Sequence, residues 1–140
     1  MIKFKSTEKV RVIIVCEVRK SNPHQRIKAV PVLKGAEFLI GDIEKLGGNI
    51  STIDFLFDYH FGGYAKSNSA LHHFCKTFFT ETKIPIEPVY TGKMLLGLYN
   101  LIKQNRFEPG TRIVALHTGG LQGINGYAEY FGDGWYQPSQ

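Results

Sequence analysis

From residue 27 onwards, short apolar runs alternate with longer stretches whose apolar side chains recur every three or four positions. Ahead of that alternation, residues 10–18 (VRVIIVCEV) form a β-branched run that predicts a strand. Residues 27–33 (IKAVPVL) predict another strand. Residues 34–46 predict a helix with Phe38, Leu39, Ile43 and Leu46 on one stripe, stopped by Gly47-Gly48. Residues 53–57 (IDFLF) read as a strand followed by a loop of small and aromatic residues. Ser67 or Ser69 then caps a helix running to about Thr82. Pro85 and Pro88 hold the next stretch extended. A helix over 91–105 turns Met94, Leu95, Leu98, Leu101 and Ile102 inward, and residues 112–116 (RIVAL) form a last strand. Strands separated by helices predict an α/β domain: a three-layer parallel sheet with helices on both faces.

Composition changes this picture little. The 140 residues are 43% hydrophobic and 13% aromatic, ordinary for a globular domain. Net charge is +5, but the basic residues are scattered and form no run, so no nucleic-acid tail is predicted; a mild positive field suits an anionic cofactor or substrate. Two cysteines, Cys16 and Cys75, lack metal or redox spacing and read as buried, reduced thiols. No leader pattern and no apolar stretch of spanning length is seen, so the expected location is the cytoplasm, away from membranes.

In parallel sheets, ligands sit beyond the carboxyl ends of the strands. Three segments fall there: Gly62-Gly63-Tyr64, Tyr90-Thr91-Gly92-Lys93, and His117-Thr118-Gly119-Gly120. Glycines after a strand let the backbone approach an oxygen-rich ligand, and the Thr118 hydroxyl can bond a ring nitrogen; a plain tight turn is the alternative. Tyr90 can move a proton and Thr91 can head a helix that favours negative charge, or Thr91 is simply an N-cap. Lys93, in the first helical turn, reads as a solvated charge or the neighbour of a phosphate. Tyr64 can stack on a planar ligand or plug the sheet edge. His72, His73 and Cys75 do not make a metal site, because adjacent helical histidines diverge by about 100°. Neither a GxSxG elbow nor a Walker loop is present.

In order and spacing, Val32-Leu33-Lys34-Gly35-Ala36-Glu37-Phe38-Leu39, Gly63-Tyr64, Pro88-Val89-Tyr90-Thr91-Gly92-Lys93-Met94 and His117-Thr118-Gly119-Gly120-Leu121-Gln122-Gly123 resemble the closing segment of one enzyme family. That family is the D-cysteine desulfhydrase / 1-aminocyclopropane-1-carboxylate (ACC) deaminase family, dependent on pyridoxal 5'-phosphate (PLP). The resemblance implies part of a fold type II (tryptophan synthase β-like) PLP domain over residues 26–140, with residues 1–25 unlike the family.

It further implies Tyr64 and Tyr90 as the catalytic tyrosines, and Thr91, Thr118, Gly119 and Gly120 as cofactor contacts. Ring-opening deaminases carry Glu and Leu where this chain has Thr91 and Thr118. Hydroxyls there suit α,β-elimination from D-cysteine to pyruvate, ammonia and sulfide; ACC deaminase, an anion-binding module and a partner subunit are the alternatives. The family's lysine segment, shaped like GGNKxRK, and its phosphate loop are not among these residues. This chain alone is therefore expected to be an inactive, truncated form that takes a small amino acid only in a completed site. It is also expected to dimerise or associate through an exposed sheet edge.

Overall fold

The computed structural model describes residues 12–18, 26–117 and 119–127, and of residues 12–18, 122, 123 and 125 the backbone only. Four strands make one sheet: β1 (Val12–Val18), β2 (Arg26–Pro31), β3 (Ile53–Phe55) and β4 (Arg112–Ala115), in the order β3-β2-β1-β4. β2 and β3 pair in parallel, Ile27 opposite Ile53. β1 runs against both β2 and β4, with Val12 opposite Pro31 and Cys16 opposite Val114. The expected all-parallel sheet is therefore corrected to a mixed one. The reason lies in the connection: seven residues, 19–25, are too few for a parallel crossover, which takes a dozen or more, but they suffice for an antiparallel return. β2, β3 and β4 still share one direction, and β1 stands inverted among them. Pro31, which has no N–H to give, sits past the last residue of β2 that pairs with β3.

Three α-helices follow the predicted places with shorter bounds: α1 (Phe38–Lys45), α2 (Ser69–Thr82) and α3 (Thr91–Lys103). The cap of α2 is Asn68, whose side chain accepts from Leu71 N at 2.9 Å, in place of either expected serine. α3 lays Met94 and Leu98 on Val30 and Val32 of the β2 segment, all four buried. Each such side chain contributes roughly 1.5–3 kcal/mol on leaving water. Gly97 on the same face meets the Tyr59 ring, where a Cβ would stand 3.1 Å from it. The outer side of α3 packs on α2 through a second cluster of Leu71, Cys75 and Ile86, joined by Leu95 and Leu96. Sheet, α3 and α2 thus stack in series, a mixed α/β arrangement.

Two predicted stripes are narrower than expected. In α1 only Leu39 is buried, while Phe38 and Leu46 are exposed. In α3 the inward row is Met94, Gly97, Leu98 and Leu101, spaced i, i+3, i+4, i+7, which leaves Ile102 half exposed. Exposed apolar side chains also include Val114 on β4 and Leu116 just beyond it. No described helix is long and apolar enough to cross a membrane.

Candidate active site

The chain enters α3 through Pro85-Ile86-Glu87-Pro88-Val89-Tyr90. Glu87, 1% exposed, organises this entry. Its carboxylate accepts from Val89 N (2.6 Å), Tyr90 N (2.9 Å) and Thr91 N (2.7 Å), and from the Thr91 hydroxyl (3.1 Å). The same hydroxyl accepts from Glu87 N at 3.2 Å, and Gly92 N donates to Glu87 O at 2.8 Å. The first N–H groups of α3 therefore already hold an anion, which is this glutamate. That corrects one expectation, since Thr91 is not the cap, and the negative charge favoured at the start of α3 is the chain's own glutamate. Thr91 is fully buried with its hydroxyl engaged on Glu87.

Glu87 was missed in the sequence. The available signal was an acid just ahead of a helix start, four residues before Thr91.

Lys93 departs furthest from expectation. It is fully buried rather than solvated, and its Nζ donates to His60 O and Gly63 O, both at 2.8 Å. Burial pulls its pKa down to about 8, against the opposing pull of the Glu87 charge. The two carbonyls belong to the Gly-rich turn after β3. There Phe61, Gly62 and Gly63 all have positive φ (51°, 97° and 120°), and Gly63 N returns to His60 O. Two of the three being glycine is what makes this path accessible.

That turn delivers Tyr64 to Tyr90. The Tyr90 hydroxyl donates to the Tyr64 hydroxyl at 3.2 Å, and the rings meet edge to face with centroids 6.1 Å apart. Burial, followed by the Tyr64 hydroxyl bond, pushes the Tyr90 phenol well above the usual tyrosine range. Tyr64 is 41% exposed, so the pair opens at the surface.

The third segment closes on the same place. His117 Nε2 donates to Pro85 O at 2.9 Å, while its Nδ1 accepts from Gly119 N at 3.2 Å, which fixes the tautomer. Gly120 has φ +92°, and a Cβ there would lie 3.3 Å from the Glu87 carboxyl. Gly119 has φ +98° and open space where a side chain would begin. Tyr90, Thr91 and Gly120 thus all approach the Glu87 carboxyl, Gly119 precedes Gly120, and Tyr64 joins through the Tyr90 hydroxyl. Thr118 lies outside the described residues.

The remaining candidates lie on α2. His72 is buried, its Nε2 2.7 Å from Ser67 Oγ, and burial lowers its pKa. Cys75 is buried, and burial followed by the Glu87 charge raises its thiol to about 12. His73 points to solvent.

No protein-family model matches the chain, and no solved structure does. Curated proteins do. A protein of Burkholderia vietnamiensis named 1-aminocyclopropane-1-carboxylate deaminase is 28% identical over 95 residues, 66% of this chain and 28% of its own length. One from Ralstonia pickettii with the same name is 27% identical over the same shares. A Pyrococcus horikoshii protein, provisionally given that name, is 35% identical over 86 residues, 61% of this chain and 26% of its own. The chain spans about a quarter of the length of the curated relatives it matches. Over 61–66% of its length, then, this chain is similar to curated proteins named 1-aminocyclopropane-1-carboxylate deaminase.

Proposed function

We propose that this chain supplies one wall of the active site of a PLP-dependent lyase or deaminase of small amino acids, as part of a fold type II domain. The observation that carries the reading is the surface-exposed Tyr64–Tyr90 hydroxyl pair, on a helix entry where Tyr90 N and Gly120 both approach the Glu87 carboxyl. These residues fit the cofactor: the space at Gly119 lets the backbone approach a ligand, and two phenols joined at their hydroxyls offer aromatic edges and polar tips. When bound, the cofactor supplies an electron sink for a carbanion at the substrate α-carbon.

The residues of this chain would do the positioning and proton holding. Tyr90, kept protonated by its raised pKa, donates to Tyr64 and so orients the outer phenol toward a substrate. Gly119 and Gly120 would let the main chain line the ring, and the family likeness gives Thr118, outside the described residues, as the hydroxyl that would bond its nitrogen. Thr91, held on Glu87, acts as a positioning residue beside Tyr90 in the chain rather than as a direct contact.

The hydroxyl at 118, where the family's ring-opening members carry Leu, favours elimination from D-cysteine. The α-proton leaves, the Cβ–S bond breaks with sulfide departing, and hydrolysis yields pyruvate and ammonia. A second reading, ring opening of ACC, is favoured by the names of the curated relatives. It keeps every carbon in one 2-oxo acid and releases only ammonia.

The lysine segment of the family pattern is not among these residues, so the purified chain with PLP is expected to give neither product. A lysine-bound cofactor absorbance band with D-cysteine turnover from this chain alone would refute that. Supplying the lysine-bearing portion of the Burkholderia vietnamiensis relative in trans, with both substrates, tests the assignment. Sulfide release supports elimination, ammonia from ACC without sulfide supports ring opening, and product from neither overturns the reading.

A further inference from the structure

A buried lysine is costly unless its ammonium is well bonded, and Lys93 sits with no exposed surface. Its stem runs from the first turn of α3 into the Gly-rich turn, and Nζ takes two main-chain carbonyls that lie three residues apart, His60 and Gly63. Both carbonyls already close the turn from within, His60 O accepting from Gly63 N and Gly63 O from Lys66 N, each at 3.1 Å. The ammonium therefore ties the turn to α3 rather than merely completing it. The next residue after Gly63 is Tyr64, and three residues before Lys93 is Tyr90. The path Tyr90–Lys93–Gly63–Tyr64 returns to its start through the 3.2 Å hydroxyl bond, making a closed ring of contacts. A Schiff-base role is excluded by the same geometry, because Nζ faces backbone and no open space.

We propose that Lys93 is a positioning residue: its clamp on His60 and Gly63 sets the distance between the two phenols at the rim. The groups facing it are Glu87, from the entry to α3, whose charge opposes the effect of burial, and the His60 and Gly63 carbonyls of the turn. Its consequence for turnover rests on the proposed role of Tyr64 and Tyr90, but the clamp itself can be read without any cofactor.

The test uses the whole chain and tyrosinate absorbance against pH, with Tyr90→Phe identifying the Tyr90 step. In the unaltered chain Tyr90 ionises late, because burial disfavours its charged form and, next, because Tyr64 stands on its hydroxyl. In Lys93→Met, which keeps the stem and removes the N–H donors that even the neutral amine retains, the turn is released and the part of the Tyr90 shift due to the Tyr64 bond is lost, so its midpoint falls by about one pH unit. A folded Lys93→Met whose Tyr90 still ionises late overturns the proposal.

Should that variant not fold, the unaltered chain still decides by NMR. The carbonyl carbons of His60 and Gly63 and the Tyr64 ring signals are expected to shift together as Lys93 Nζ loses its proton. Tyr64 signals that stay fixed while the carbonyls move overturn it equally. Loss of this coupling in a chain that still binds PLP would fail the clamp alone, whereas intact coupling in a chain that binds no PLP would fail the functional reading alone.

Discussion

Replacing Glu87 by alanine removes the acceptor of three main-chain N–H groups and one hydroxyl in a place water reaches poorly. Thr91 N is buried and loses its partner outright, which costs about 2 kcal/mol; the half-buried Val89 and Tyr90 amides regain some water and cost about 1 kcal/mol each. The sum is about 4 kcal/mol, a large share of the roughly 5–15 kcal/mol that holds a domain folded. Glu87→Gln keeps one oxygen and turns an N–H donor against the amides on the other side, so about half of that loss is expected. With a urea slope of about 2 kcal/mol per molar, the midpoints fall by about 2 M for Glu87→Ala and about 1 M for Glu87→Gln. Circular dichroism at fixed pH reads both. An alanine variant within about 0.3 M of the parent would show that the carboxylate does not organise the start of α3.

Other substitutions test other parts. Asp54 on β3 accepts from Arg26 and Lys28 of β2, and the Arg26 bond holds its carboxyl down at about 2. A folded-state pKa below the unfolded value of about 3.9 stabilises above pH 4, and that contribution fades as pH falls from about 4 to 2. Asp54→Asn should therefore cost about 1 kcal/mol at pH 7, after discounting for solvent screening, and almost nothing near pH 2; an equal loss at both pH values contradicts this. Gly92→Ala puts a Cβ 2.6 Å from Cys75 Sγ and 2.7 Å from Glu87 O, so about 2 kcal/mol of destabilisation is expected despite alanine's better helix propensity. Gly41→Ala on α1 meets nothing within 4 Å and should gain up to about 1 kcal/mol. Thermal melts that rank these two glycine variants the other way would contradict the packing around α3.

What the sequence could tell differs by element, for physical reasons. The β-branched run at 12–18 announces a strand, but periodicity carries no information on partners; only the short connection 19–25 implied its antiparallel place beside β2. The start of α2 offered Ser67, Asn68 and Ser69 in a row, all competent caps, and only the extended backbone at Asn68 selects one. α3 was legible in extent because Met94, Leu98 and Leu101 repeat at helical spacing. Its cap was not, since the anion comes from a loop residue four positions upstream of Thr91. Lys93 was misread because a lysine in a first turn ordinarily reaches water, and its two acceptors lie 30 and 33 residues away. Tyr64 and Tyr90, 26 residues apart, were both placed at the sheet rim by the strand–helix pattern and given roles by family likeness, but nothing local encodes their contact.

The central claim is that Tyr64, Tyr90, Gly119 and Gly120 form one surface that receives the cofactor. Titrating the isotope-labelled chain with PLP and following amide and aromatic shifts tests it most directly. Perturbations that saturate together at these four residues, and fade with distance from the Glu87 turn, are the predicted result. Saturable shifts centred instead on the Ser69–Lys76 face of α2, or no saturable shifts at all, would contradict it.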